Sequence, residues 1–193
     1  MLALCYAQIT LVDEAGGRIL SKLDELGLAD NTLVIWTADH GDALACHGGH
    51  FNKRCYLPEE VMRVPLAIRW PAVVPAGQTI GRLVSNIDLA PTILAAAGTG
   101  FTNRVDGESL IPLLQDGTTA WREELLCEIN GHYDPVIGRM VVTERFKYVE
   151  TAGDMNELYD LDADPYEMNN LAYDTQFAQL KSEMRNRLLR WLG

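Results

Sequence analysis

Residues 32–42 read Thr32-Leu33-Val34-Ile35-Trp36-Thr37-Ala38-Asp39-His40-Gly41-Asp42. A short apolar run rich in β-branched residues, bounded by polar turn residues, predicts a strand buried on both faces. It ends directly in a carboxylate, an imidazole and a glycine. In open α/β sheets the carboxyl ends of strands are where ligands bind, so the same eleven residues predict both the fold class and the place to look for chemistry.

Working outward, Ile9, Val12, Ile19, Leu23 and Leu26 recur at helical spacing and Gly27 follows where a C-cap glycine belongs. This predicts a helix before the strand, interrupted near Gly16-Gly17. On the other side, Val64 to Trp70 predicts a second strand, confined by Pro65 and Pro71 to an edge or a strand start. Asp88, with Pro91 in the first turn and Gly98 at the end, frames a capped helix, and Glu108 to Leu114 suggests a shorter one. After about Trp121 the texture changes. Short strand candidates at 124–129, 138–143, 146–150 and 157–161 alternate with turns such as Gly131-His132-Tyr133-Asp134-Pro135, an antiparallel meander. Phe177, Leu180, Met184, Leu188 and Trp191 then give an amphipathic helix fit to cover one face of that sheet. The expected fold is α/β: a partial parallel or mixed sheet with flanking helices over residues 1–120, then a small antiparallel sheet with a terminal helix over 121–193.

Bulk properties narrow the function. Of 193 residues, 48% are apolar, enough for one sizeable core. The formal net charge of −11 excludes a nucleic-acid partner, because duplex binding needs a basic face to displace counterions. An anionic substrate would meet a repulsive global field, which a metal ion and local cations must overcome at short range. The four cysteines have no CxxC pairing, so reduced thiols are expected rather than a zinc knuckle or disulfide framework. There is no signal-peptide pattern at the start and no run of about 18 apolar residues, so the expectation is a cytoplasmic protein with no membrane partner.

Two readings fit Asp39-His40 taken alone. The pair caps a strand-to-helix turn, or it ligates one ion: once the chain turns at Gly41 the two side chains can converge, a hard oxygen and a borderline nitrogen compatible with Ca²⁺, Mn²⁺ or Zn²⁺. The neighbourhood favours the second. Three of the four histidines, His40, His47 and His50, cluster here with Asp42 and Lys53.

The run Thr37-Ala38-Asp39-His40-Gly41-Asp42, with His47-Gly48, Asn52-Lys53, Glu59-Glu60, Arg63-Val64-Pro65-Leu66 and Arg69-Trp70-Pro71, resembles the sulfatase family of the alkaline phosphatase superfamily in order and spacing. Ile87-Asp88-Leu89-Ala90-Pro91-Thr92-Ile93, Glu157-Leu158-Tyr159-Asp160-Leu161 and Asp164-Pro165-Tyr166-Glu167 extend the likeness toward the C-terminus. The resemblance implies an alkaline-phosphatase-like fold and a sulfuric ester hydrolase. It makes Asp39 and His40 ligands of a divalent metal, Ca²⁺ ahead of Mn²⁺ or Zn²⁺, and Lys53 the cation that contacts the sulfate oxygens. His47 falls where relatives carry a histidine near the pocket, as general acid or as a structural residue. Glu59, Glu60 and Arg63 read as ion-pairing residues, Asp88 as a helix N-cap, and Asp164 to Glu167 as a structural turn.

The sequence departs from the family in two respects: it lacks the nucleophile motif and the nearby paired aspartates that complete the family's metal site. No Cys-x-Pro-Ser-Arg or Cys-x-Ala-Ser-Arg motif, the source of the formylglycine nucleophile, occurs in it, and neither Cys5 nor Cys55 has the required following Ser and Arg. The expectation is a C-terminal portion of such an enzyme, inactive alone, its unpaired strand edges disposed to associate with a second copy. Its substrate would be a small-molecule or glycan sulfate ester. A phosphonate monoester or phosphodiester hydrolase is the alternative, since the same metal ligands and lysine serve phosphoryl transfer. A non-catalytic structural module is a third reading.

Overall fold

The computed structural model describes residues 2–53, 56–131 and 135–192. Cys55 and the His132-Tyr133-Asp134 turn lie outside them. In chain order the main elements are α1 (Leu2–Glu25), β1 (Val34–Thr37), α2 (Cys46–Gly49), α3 (Glu59–Met62), β2 (Leu66–Arg69), α4 (Leu89–Ala96), α5 (Ile111–Gln115), β3 (Glu124–Asn130), β4 (Ile137–Thr143), β5 (Phe146–Thr151), β6 (Glu157–Asp160) and α6 (Ala178–Leu192). They gather into two compact units. One holds the chain up to Thr37, Pro65–Ile80 and Asn86–Thr119; the other holds Ala38–Val64, Gly81–Ser85 and the chain from Ala120 onward.

In the first unit, β1 and β2 form an antiparallel ladder, Val34 opposite Arg69 and Thr37 opposite Leu66. Parallel neighbours of β1 are not found among the described residues. Helix α1 starts earlier than its apolar spacing suggests and runs unbroken through Gly16-Gly17. Gly16 has a packing reason instead of a breaking role: a Cβ there would lie 2.6 Å from the Trp36 ring of β1. The helix stops as expected at Gly27, which takes φ +65° while Leu28 N–H donates to Leu23 O at 2.9 Å, a left-handed cap that satisfies the last carbonyls. No residue of α1 is buried.

Asp88 holds the N-cap position of α4, yet its side chain does not cap. It is fully buried, and its Oδ1 accepts from Glu108 N–H at 2.9 Å. Thr92 completes the tie: its hydroxyl donates to Asp88 O at 2.6 Å and accepts from Leu110 N–H at 2.8 Å. The loop before α5 is thereby fastened to α4. Capping was the local expectation, and burial against a distant backbone amide overrode it.

The second unit is built on the meander β3-β4-β5-β6, antiparallel throughout. Alternation sorts its side chains to two faces. Val141, Tyr148 and Leu158 join Met184 and Leu188 of α6 in one core cluster. Met140 and Val149, one residue away on the same strands, point the other way and pack with Leu57 beside α3. Lys147 shares that second face by the same alternation. Helix α6 is further held by Glu124 of β3, which pairs with Arg187 at 2.6 Å and accepts from Trp191 Nε1 at 3.0 Å.

Leu188 is fully buried, so its truncation removes apolar contact and leaves a cavity that the sheet cannot close. Leu188→Ala is expected to destabilise the protein by about 3 kcal/mol in urea unfolding. The exposed Leu189, one residue on, should cost well under half as much when changed to Ala.

Candidate functional site

The predicted site residues all fall in the second unit, on the irregular segment between β1 and β2. Asp39 and His40 follow β1 at once. His40 Nδ1 lies 2.7 Å from Gly41 O, and a carbonyl only accepts, so Nδ1 carries the proton. In the neutral ring the lone pair is then on Nε2, which lies 3.5 Å from Asp39 Oδ2. The Asp39 carboxyl is held below the ordinary carboxylate range, chiefly by the His40 backbone N–H. An ionised oxygen and an imidazole lone pair 3.5 Å apart, with 87% of the Asp39 side chain open to solvent, suit two positions in the shell of one divalent ion.

Beyond Gly41 the chain makes a compact loop. Asp42 Oδ1 accepts from both Leu44 N–H at 2.9 Å and Asn52 N–H at 3.1 Å, tying the two ends together. Between them Leu44, Ala45, His47 and Asn52 take positive φ, a conformation side chains rarely adopt outside glycine. Such strain persists only where the surroundings over-determine it, and loops that do so cluster at functional sites. Here the bonds of Asp42, with Ala45 N–H to His50 O at 2.7 Å, supply the determination. His47, His50, Asn52 and Lys53 line a cavity of about 200 Å³ whose other wall includes Glu157 and Glu167.

Helix α3 joins these parts. Gly41 N–H donates to Val61 O at 2.8 Å, and a Cβ on Gly41 would stand 1.9 Å from Glu60 O, so the residue after His40 must be glycine to lie so close. Glu60 Oε2 is 2.9 Å from His47 Nε2. Glu59 presents its backbone N–H to Glu167 Oε2 at 2.7 Å and its carboxylate to Lys147 Nζ at 3.2 Å. Lys147 also lies 2.7 Å from Glu167 Oε1. That second contact is an ion pair without hydrogen-bond alignment, since Oε1 makes no well-directed bond. Burial raises the Glu167 carboxyl above its ordinary range, and the Lys147 charge works against that rise. Burial likewise pushes the nearby Cys127 thiol up to about 11, with Lys147 lowering it and Glu59 adding to the rise.

The structure therefore brings Asp39 and His40 together, and sets His47 and Lys53 on one cavity wall. Sequence reasoning took Glu59 and Glu60 as ion-pairing residues, and both pair, with Lys147 and His47. What it missed is Lys147, an alternating strand residue with no local signal, and the reach of Glu167 beyond its turn. Among the described residues, His47, Glu60 and Glu167 also form a group of donor atoms all within 4.8 Å of one another. The His47–Glu60 hydrogen bond and the Lys147–Glu167 ion pair account for that closeness without a metal.

Comparison with known proteins shows the family. Residues 46–192 match the family described as N-sulphoglucosamine sulphohydrolase, C-terminal. The N-acetylglucosamine-6-O-sulfatase of Bacteroides thetaiotaomicron is 36% identical over 192 residues, covering 92% of this chain and 33% of that protein. A solved structure of a protein in complex with its substrate, D-glucosamine-2-N,6-O-disulfate, superposes with a TM-score of 0.86 at 33% identity, covering 94% of this chain and 38% of that one. The phosphonate monoester hydrolase of Agrobacterium radiobacter gives 0.82 at 31% identity, over 94% and 39%. The chain belongs to the sulfatase family of the alkaline phosphatase superfamily. It spans about a third of the length of the curated relatives it matches. Among the described residues no helix is long and apolar enough to cross a membrane.

Two expectations test this geometry. Gly41→Ala should break the Gly41–Val61 bond and move the Asp39-His40 segment, costing about 1–3 kcal/mol in thermal unfolding, the range for an overpacked site. At pH 8 an iodoacetamide-type reagent should label the exposed Cys46 readily and Cys127 slowly, because the thiolate is the reactive form and a thiol near 11 leaves about a thousandth of Cys127 ionised. Equal labelling of the two would contradict the burial assigned to Cys127.

Proposed function

We propose that these residues supply one wall of a metal-dependent sulfuric ester hydrolase acting on small-molecule or glycan sulfate esters. The observation that carries the reading is the meeting of Asp39 Oδ2 with the unprotonated Nε2 of His40, beside Lys53, in a chain of the sulfatase family. Residues 1–120 would be the later part of the catalytic domain and 121–193 its C-terminal subdomain. Asp39 and His40 would hold the divalent ion, with Ca²⁺ favoured by the hard, exposed carboxylate. Such an ion neutralises charge on a transferring sulfuryl group.

This chain's own side chains would do the rest of the work on that wall. Lys53 places a compact ammonium where negative charge builds on the sulfate oxygens or the departing oxygen, and offsets the net charge of −11 at short range. His47, on the same cavity wall, would give a proton to the leaving oxygen as the ester S–O bond breaks. A complete site also needs a nucleophile, and no formylglycine motif occurs in the 193 residues; this chain alone should not turn over sulfate esters.

The phosphonate monoester hydrolase among the solved structures keeps a second reading in view. Metal, lysine and general acid would stabilise phosphoryl transfer by the same electrostatics. The discriminating experiment expresses the complete reading frame around this chain and compares matched aryl sulfates and phosphonates. Sulfate turnover should dominate, vanish with a chelator, and return with Ca²⁺. Lys53→Ala should lower kcat/KM by about 10²–10³-fold, the range for losing one preorganised charge-stabilising group, and Asp39→Ala should abolish metal rescue. Equal or better phosphonate turnover would overturn the sulfatase reading.

A further inference from the structure

We infer that Glu60 is a positioning residue, which fixes the ring of His47 through Nε2 and makes Nδ1 the one ring nitrogen that exchanges a proton at the site. The inference deepens the reading above and rests on it for the identity of the reaction, but its structural part does not. A carboxylate accepts and does not donate, so the 2.9 Å contact assigns the Nε2 proton of His47 to the bond with Glu60 Oε2. Nε2 is then committed in both the neutral and the cationic ring. Nδ1 alone changes state. The arrangement is that of an oriented base, in which a buried or half-buried carboxylate fixes the tautomer and direction of an imidazole that works through its other nitrogen.

Three observations show that Glu60 is built to hold rather than merely to touch. Its side chain and that of His47 are each only about a quarter exposed, at 25% and 27%, so the bond is sheltered from competing water. The helix that carries it is fastened on two sides, by Val61 O to Gly41 N–H and by the Glu59 N–H to Glu167 Oε2. Lys147, fully buried between Glu59 and Glu167, keeps that second fastening in place. His47 itself sits at φ +47°, a conformation its own backbone does not favour, so an external tie is needed to keep the ring in one direction. The other ionisable groups around the cavity are His50, Lys53, Tyr159, Glu157 and Glu167; a Glu167 oxygen comes within 4.8 Å of a His47 ring nitrogen, whereas Glu60 Oε2 is bonded to Nε2 at 2.9 Å.

In the proposed reaction the balance is simple. A nucleophilic oxygen, which these 193 residues do not supply, forms a new bond to sulfur as the ester S–O bond breaks; the electron pair of the broken bond stays on the ester oxygen, and that oxygen takes the proton from His47 Nδ1, leaving a neutral ring still donating from Nε2 to Glu60.

The first test needs no substrate. In the histidine-¹⁵N-labelled chain, a ring proton on Nε2 assigned by its loss in His47→Ala should be protected from solvent exchange. Glu60→Ala should abolish that protection, and Glu60→Gln, an uncharged acceptor of the same size, should keep the signal but speed its exchange several-fold. Wild-type exchange rates in both variants would overturn the inference. The second test uses the complete enzyme. Glu60→Ala and His47→Ala should each lower kcat, the former by about tenfold, and the double variant should lose no more than His47→Ala alone, since residues that act as a unit are not additive. A double variant showing the product of the two losses would mean that Glu60 acts on folding and not through His47. Should the enzyme prefer phosphonates, the ring-proton result would stand and only the substrate reading would fall.

Discussion

The placement of α3 beside the candidate site hangs from a buried cation. Lys147 has no solvent exposure, and an ammonium stripped of water is tolerated only where anions and hydrogen bonds replace hydration. Glu59 and Glu167 do so from two sides, at 3.2 and 2.7 Å. Because the cation sits on a central strand of the meander, its position is as rigid as the ladder of β4, β5 and β6 around it. The pair of carboxylates converts that rigidity into a fixed start for α3. From α3 the constraint passes to Gly41 through Val61 and to His47 through Glu60, so that a lysine 107 residues from His40 and 100 from His47 in the chain bears on where both stand.

The loop on the other side of this constraint is strained, and the strain has an evident holder. Four non-glycine residues at positive φ between Asp42 and Lys53 cost on the order of 1–3 kcal/mol each where nothing relieves them. Asp42 is the counterweight. Its single oxygen Oδ1 receives two backbone amides eight residues apart in sequence, those of Leu44 and Asn52, one near each end of the loop, and so closes it. Asp42 was noted in the sequence only as a further acid beside the histidines. Its work is to shape the loop that puts His47 and Lys53 on one wall, and that work is done by geometry that spacing alone does not reveal.

Much of the fold was legible because local signals and tertiary structure agree. The meander 124–160, the terminal helix, the β1 and β2 strands and the glycine stops at Gly27 and Gly98 all follow from periodicity and turn chemistry. The misses share one cause. Gly16-Gly17 reads as a helix break until Trp36 is seen against Gly16, Asp88 reads as a cap until Glu108 N–H is seen against it, and Lys147 reads as one more strand lysine until α3 covers it. In each case a contact between residues distant in sequence decided what a locally ambiguous residue does. The candidate site residues stood out by type and spacing, and the family resemblance implied roles for them, but the bonds that orient them could not be read from the sequence.

The two histidines show why orientation matters more than identity here. His40 and His47 are seven residues apart on one loop, and each has one ring nitrogen committed to a neighbouring oxygen. His40 commits Nδ1, to a backbone carbonyl that cannot donate, and is left with a lone pair on Nε2 facing a carboxylate oxygen 3.5 Å off. His47 commits Nε2, to a carboxylate, and is left with Nδ1. A nitrogen lone pair beside an anionic oxygen is what a divalent cation takes, whereas a ring braced by a carboxylate is what a proton carrier needs, because the brace stabilises the imidazolium as well as aiming it. The same side chain is thus directed to two chemistries by which of its nitrogens the protein occupies. Exchanging the partners, a carbonyl for Glu60 and a carboxylate for Gly41 O, would be expected to exchange the aptitudes too, even though the sequence positions of both histidines stayed the same.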